Sequence, residues 1–250
     1  MDRRLPAPAG AADLDGLVVV HLSDLHAGFV PSFNLRATRK AVDLTLAARP
    51  DLVVITGDLA GGPFGEAGLR RELRRLRAPL GVFAVLGNHD HGDSKAPFVG
   101  AIDPRIVTES GVRLLVNEAV SVARGDAWVQ IGGVDDSTGG NDDLPTVLAL
   151  LDRRPNVLRL LLTHHAEVAL QAEPGDFHLA LAGDTHGGQI CMPLPQGCVP
   201  LSDLGAQFVD GFHDVDGRPL YVTRGVGTSL LPFRAFCRPE IVVFRVEAPG

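Results

Sequence analysis

Residues 51–90 read DLVVITGDLAGGPFGEAGLRRELRRLRAPLGVFAVLGNHD. A short apolar run, Leu52-Val-Val-Ile55, ends on Thr56-Gly57-Asp58. A stretch with apolar residues at helical spacing, Glu66 to Arg77, is closed by Ala78-Pro79. A second apolar run, Gly81 to Leu86, ends on Gly87-Asn88-His89-Asp90. Near-continuous apolar runs rich in β-branched residues mark strands buried on both faces. Strand, helix, strand is the repeating unit of an α/β fold.

The same grammar extends in both directions. Upstream, the run Leu17 to Leu22 is followed by a helical pattern from Asn34 to Ala48, stopped by Arg49-Pro50. Downstream lie two more apolar runs, Val157–Leu162 and Leu179–Ala182. Between them and the first third, Gly111 to Val134 breaks into short segments, Arg113–Val116 and Trp128–Ile131, which predict an antiparallel meander. A helix is expected over Pro145–Leu151. Asp216-Gly217 predicts a hairpin turn between strands Gln207–Val215 and Pro219–Thr223, with a last strand at Ile241–Val246. Residues 1–16 read as a flexible N-terminal tail and 17–250 as a single domain.

Composition narrows the function. The chain has 250 residues, 45% hydrophobic and 21% charged, the balance of an ordinary globular protein. Its 23 basic and 30 acidic residues leave a net charge of −7, which argues against general nucleic-acid binding. No apolar run approaches the ~18 residues of a membrane span. The segment Met1–Gly16 lacks the apolar core of a secretory signal. Three cysteines, Cys191, Cys198 and Cys237, are too few for a disulfide scaffold. Cys191 and Cys198 are spaced to close one small loop, but reduced thiols and a cytoplasmic location are the expectation.

The chemistry lies immediately after each apolar run. The five ends are Ser23-Asp24-Leu25-His26, Gly57-Asp58, Gly87-Asn88-His89-Asp90, Thr163-His164-His165 and Gly183-Asp184-Thr185-His186. Ligands of open α/β sheets gather at the carboxyl ends of strands. Five such ends would therefore crowd carboxylates, imidazoles and an amide into one small volume, and metal cations relieve the repulsion. Asp24 and His26 are two apart, so an extended segment would send both to one ion, and the same holds for Asp184 and His186. Asp58 has two oxygens with which to bridge two metals. This mixed donor set suits Mn, Fe or Zn.

These motifs resemble those of the calcineurin-like metallophosphoesterases: D-x-H, G-D, G-N-H-[DE], a lone H, then G-H-x-H, matched here from Leu17 to Gln189. The tail, Leu220-Tyr-Val-Thr-Arg-Gly-Val-Gly-Thr-Ser229 and Arg238-Pro-Glu-Ile241, resembles one bacterial branch. The resemblance implies a four-layer α/β/β/α sandwich of two mixed β-sheets flanked by helices. It implies two divalent metal ions, Mn first and Fe or Zn next. One would be held by Asp24, His26, Asp58 and His186, the other by Asp58, Asn88, His164 and Asp184. His89 would be a non-ligand imidazole beside the substrate phosphate, oriented by Asp90, while His165 would be a wall or solvent residue. The one departure is Asp184, where the family has histidine. Aspartate there would bias the second site towards harder ions, or weaken it.

The reaction implied is hydrolysis of a phosphate ester by metal-activated hydroxide, with Asn88, His89 and Asp58 as catalytic residues. A phosphodiester or diphosphate is expected over a monoester. Leu230-Leu-Pro-Phe-Arg-Ala-Phe-Cys-Arg238 mixes apolar residues with Arg234 and Arg238. If it overhangs the site, it could meet an acyl chain and a phosphate or lipid surface. That supports the alternative of a UDP-2,3-diacylglucosamine-type diphosphatase with peripheral membrane contact. Many relatives stay at the membrane through an N-terminal segment not found here. A reading from another class is a non-catalytic phosphate-binding module, disabled by Asp184.

Overall fold

The structure is a computed structural model. It describes all residues except 30, 94–99, 195–196, 202–205 and 249–250. Along the chain lie β1 (Asp2–Pro6), β2 (Val18–Leu22), α1 (Pro31–Ala47), β3 (Leu52–Thr56), α2 (Glu66–Leu73), β4 (Val82–Val85) and α3 (Arg105–Thr108). Then come β5 (Arg113–Leu114), β6 (Glu118–Arg124), β7 (Ala127–Gly133), α4 (Leu144–Leu150), β8 (Val157–Leu162) and β9 (Leu179–Ala182). The ribbon β10 (Cys191–Leu194) and β11 (Gly197–Pro200), then β12 (Gly211–Val215), β13 (Arg218–Val222) and β14 (Val242–Glu247) complete the chain. The described strands form two six-stranded mixed sheets, β1-β14-β2-β3-β4-β5 and β12-β13-β9-β8-β7-β6.

Alternation inside the apolar runs builds the layers. Val19, Leu52, Val54, Phe83 and Val85 of the first sheet pack against Leu158, Leu160, Leu162, Leu179 and Leu181 of the second. Their neighbours Val18, Val20, Val53, Ile55 and Ala84 face the opposite way, onto Ala41 and Val42 of α1 and Leu69 and Leu73 of α2. On the far side of the second sheet, Leu161, Ala180 and Ala182 meet Leu144 and Val147 of α4. Both faces of each central strand are therefore apolar, which is why the runs show no polar alternation. Each fully buried Val or Leu contributes about 1.5–3 kcal/mol. This is the four-layer α/β/β/α sandwich that the resemblance implied.

Three expectations need correction. The N-terminal stretch is not an unattached tail: β1 pairs in parallel with β14, and Ala12–Leu14 makes a 3₁₀ turn with Leu14 buried. The meander is split between sheets. β6 and β7 pair antiparallel, whereas β5 runs parallel to β4 at the edge of the first sheet. Finally, α2 stops at Leu73, short of Arg77. The Cys191–Cys198 pairing concerns a side chain, that of Cys198, outside the described residues.

His21 is a polar exception within β2. It is fully buried, its Nε2 lies 2.8 Å from Thr56 Oγ1, and burial pushes its pKa down to about 3. Between pH 6.5 and 3 the unfolded chain therefore binds a proton there that the folded chain refuses. Stability from this group is complete above pH 6.5 and falls with pH by about 1.4 kcal/mol per unit. Urea unfolding of a His21→Gln variant should be less acid-sensitive than wild type by about that slope. Parallel curves would contradict the assignment.

Candidate metal centre

The carboxyl ends of β2, β3, β4, β8 and β9 converge on one cleft of about 220 Å³. Asp58, Asn88, His89, Asp184 and His186 line it together with Ile190, Leu230 and Leu231. Past the strand ends the parallel ladder continues: Asp24 N–H donates to Gly57 O (3.1 Å) and His26 N–H to Asp58 O (2.9 Å). The backbone there is not extended, as the two-residue spacing had suggested. Asp24, His26, Asp58, Asp184 and His186 all have positive φ, between 42° and 73°. Five non-glycine residues in this sparsely populated region represent strain that packing must hold, and such strain gathers at functional sites.

The donors form two adjoining groups. In the first, Asp24, His26, Asp58 and His186 are all buried, with one donor atom from each within 4.8 Å of the others. His26 Nε2 is 2.9 Å from His186 Nε2 and 3.2 Å from Asp58 Oδ2. In the second, His164 and Asp184 are joined by His165. His164 Nε2 lies 3.5 Å from Asp58 Oδ1 and 3.7 Å from Asp184 Oδ1. Asp184 and His186, which their two-residue spacing alone would send to one ion, fall in different groups. Asn88 Nδ2 donates to Asp93 O (2.8 Å), and its Oδ1 is buried without a hydrogen-bond partner.

Two glycines make room for this packing. A Cβ on Gly57, whose φ is +82°, would sit 2.5 Å from His164 Nδ1, and one on Gly87 would sit 2.7 Å from the Asp58 backbone nitrogen. The space they leave is taken by neighbouring donor residues.

Burial and neighbouring charges set the protonation of the donors. Burial pushes the Asp24 carboxyl up to about 6, helped by Asp58 alongside. Burial acts the same way on Asp58, but His164 and His26 outweigh it and hold that carboxyl well below the usual range. Burial disfavours a charged His164, yet Asp58 and Asp24 keep its pKa well above normal. Burial, His26 and Arg234 hold His186 well below normal. Asp24 Oδ2 and His164 Nε2 are buried with no hydrogen-bond partner. His164 Nδ1 is committed to Thr56 O at 2.8 Å, so Nε2 aims into the cluster, the arrangement of a metal-binding histidine. Unpartnered N and O atoms around paired carboxylates are the donor set of a site for divalent cations, and the residues present fit such ions.

Some roles differ from expectation. Asp90 does not orient His89; its oxygens accept the backbone N–H groups of Leu59, Ala60 and Gly87 at 3.0–3.1 Å. It ties the turn after β3 to the turn after β4. Arg234 does not reach outward. It donates to Gly227 O (2.8 Å) and His186 O (2.9 Å), and its Nη2 is 3.1 Å from His186 Nδ1. Arg238 lines a separate cleft with Lys40 and Leu44. Gln189, which the motif contained without a role, holds the cleft wall. Its Oε1 accepts Ser229 N–H (2.8 Å) and its Nε2 donates to Leu231 O (3.1 Å).

Fold and cluster together define a two-sheet sandwich that gathers phosphoesterase-type donors at its strand ends. A family model described as calcineurin-like phosphoesterase matches residues 17–188. The chain is 32% identical over 240 residues to the metallophosphoesterase YkuE of Bacillus subtilis, covering 94% of this chain and 80% of that protein. To the phosphodiesterase YaeI of Escherichia coli it is 30% identical over 236 residues, covering 91% and 81%. The NAD nucleotidase NadN of Haemophilus influenzae shares the fold with a TM-score of 0.53 at 15% identity, covering 84% of this chain and 45% of that one. The chain belongs to the calcineurin-like phosphoesterase family, whose members are metal-dependent and act on phosphate esters.

Proposed function

We propose that this chain hydrolyses a phosphodiester or diphosphate at the strand-end cluster, using two divalent cations, with manganese preferred and iron or zinc suitable. The observation that carries the reading is the position of Asp58. Its Oδ2 lies 3.2 Å from His26 Nε2 and its Oδ1 lies 3.5 Å from His164 Nε2, so one carboxylate faces both donor groups. Asp24, His26, Asp58 and His186 would hold one cation, and Asp58, Asn88, His164 and Asp184 the other. Bound there, such cations supply Lewis acidity to phosphate oxygens and lower the pKa of water towards neutrality. The chain acts as one domain in this reading, and the first sixteen residues belong to it, since Leu5 and Leu14 join the apolar core that the two sheets share.

The chain's own groups bind and orient the substrate. The His89 backbone N–H donates to Asp58 Oδ1 (3.0 Å), and the His89 ring stands edge-on to His26 with centroids 4.6 Å apart. Burial lowers the His89 pKa, so at neutral pH the ring is uncharged and has one N–H to give. That N–H serves a phosphoryl oxygen or the departing oxygen. A His89→Ala variant should keep its metals and lose roughly 10²–10³-fold in kcat. Full activity with metals bound would remove His89 from the mechanism.

Preference for a diester rests on the cleft wall and on the name of the Escherichia coli relative. Ile190, Leu230 and Leu231 provide an apolar surface beside the donors for a second substituent on phosphorus. With Mn²⁺ added, kcat/KM should be higher for an aryl phosphodiester than for the matching monoester; the reverse order would overturn the preference. A lipid-linked diphosphate is the second reading. Leu230 and Leu231 on the cleft wall favour it, as do Phe233 and Phe236 of the same segment, all four 45–76% exposed. Vesicle co-sedimentation abolished by Phe236→Ser would support peripheral membrane contact. No helix among the described residues is long and apolar enough to cross a membrane.

A further inference from the structure

Asp184 stands where the family pattern has histidine, and a second imidazole lies within reach of it. His165 follows His164 at the end of β8, with its side chain only 17% exposed. Its Nε2 lies 3.5 Å from Asp184 Oδ1 and 3.3 Å from Thr138 Oγ1. The same Asp184 oxygen lies 3.7 Å from His164 Nε2. One donor atom from each of His164, His165 and Asp184 falls within 4.8 Å of the others. His165, expected as a wall or solvent residue, thus stands within this donor group.

Two observations separate this group from a chance meeting of polar side chains. His164 is completely buried, and its Nε2, aimed into the group, has no hydrogen-bond partner. Behind His165 stands Asp136, whose side chain is fully buried and whose Oδ1 lies 3.1 Å from His165 Nδ1. Asp136 is itself fixed, because its Oδ2 accepts the backbone N–H of Thr138 (3.1 Å) and of Gly139 (3.4 Å). The two side chains are in ion-pair range without an aligned hydrogen bond, and a carboxylate this close to one ring nitrogen favours the proton there and the lone pair on the other, a support found behind metal-binding histidines.

We infer that His165 supplies the second cation position with the imidazole that Asp184 does not, and that Asp136 is its positioning residue. The inference rests on the two-cation reading above. The imidazole has moved from the end of β9 to the end of β8, so the position keeps two imidazoles, from His164 and His165, and gains the Asp184 carboxylate. Such a set suits Mn²⁺, Co²⁺ or Zn²⁺ better than a purely oxygen-seeking ion.

The test uses the full chain, stripped by chelator and titrated with Co²⁺. Calorimetry gives the affinities, elemental analysis the equivalents, and the visible spectrum the coordination. Wild type should take two equivalents. His165→Ala should keep the first at wild-type affinity and lose the second with its spectral band. Asp136→Asn should keep both while weakening the second about 10–100-fold. Two equivalents at wild-type affinity in His165→Ala would overturn the inference and leave the two-cation reading standing. Wild type binding one ion or none would remove that reading, and the inference with it. Should His165→Ala fail to fold, Asp136→Asn decides, and an unchanged second affinity there overturns the inference.

Discussion

Replacing Asp58 with alanine is expected to cost at least about 10³-fold in phosphoesterase activity and to strip metal from both positions. The size stems from its placement. Asp58 Oδ2 faces the Asp24–His26–His186 group and its Oδ1 faces His164, while Oδ1 also accepts the His89 backbone N–H. Removing it deletes the shared carboxylate and loosens the residue proposed to meet the substrate. It also leaves His164 without the main charge that keeps its pKa high. Asp58→Asn keeps the volume and one oxygen but not the charge, so it should be nearly as damaging. Metal content and turnover measured on the same preparation check this. Retention of two ions with activity within tenfold of wild type would deny Asp58 its bridging role.

The second large effect is on stability. Asn34, on α1, is fully buried and uses its whole hydrogen-bonding capacity. Its Nδ2 donates to His26 O and Thr228 O, both at 3.0 Å. Its Oδ1 accepts from Thr228 N–H (3.2 Å) and Thr228 Oγ1 (3.1 Å). One amide thus fastens the loop carrying His26 to the segment after β13. Asn34→Ala strands several buried groups, each at about 1–3 kcal/mol. A net loss of about 3 kcal/mol is expected, or a fall in Tm of roughly 6–12 °C. Asn34→Asp conserves shape but sets a carboxylate against two carbonyls, and should cost at least as much. If the aspartate variant melts like wild type while the alanine variant does not, volume matters rather than hydrogen bonding.

How far the sequence can be read depends on where each signal resides. β8 and β9 begin and end where their apolar runs do, because both faces are buried; the one charged residue in β8, Arg159, is held there by donating to the carbonyls of Asp152, Gly175 and Asp176. The site residues stand out because each comes directly after such a run. β1 escapes notice because Asp2-Arg-Arg-Leu-Pro6 buries only Leu5, and its partner strand lies some 240 positions away. β5, two residues long, carries no pattern that says which sheet it joins. Asp24 and His26 lie in one donor cluster, but not by the extended backbone that their spacing suggests, since both are left-handed. Asp136 and His165 are 29 positions apart, and only the packing of β7 beside β8 brings them together. Nothing local to Gly132-Gly-Val-Asp-Asp136 names His165 as the partner.

The most direct test of the account is hydrolysis of bis(p-nitrophenyl) phosphate by the chelator-stripped protein, before and after addition of Mn²⁺. The account predicts no turnover in the stripped protein, turnover restored by Mn²⁺, and none with Mn²⁺ in Asp58→Ala. Protein that binds Mn²⁺ yet leaves the ester intact would contradict it and favour a phosphate-binding module built on the same fold.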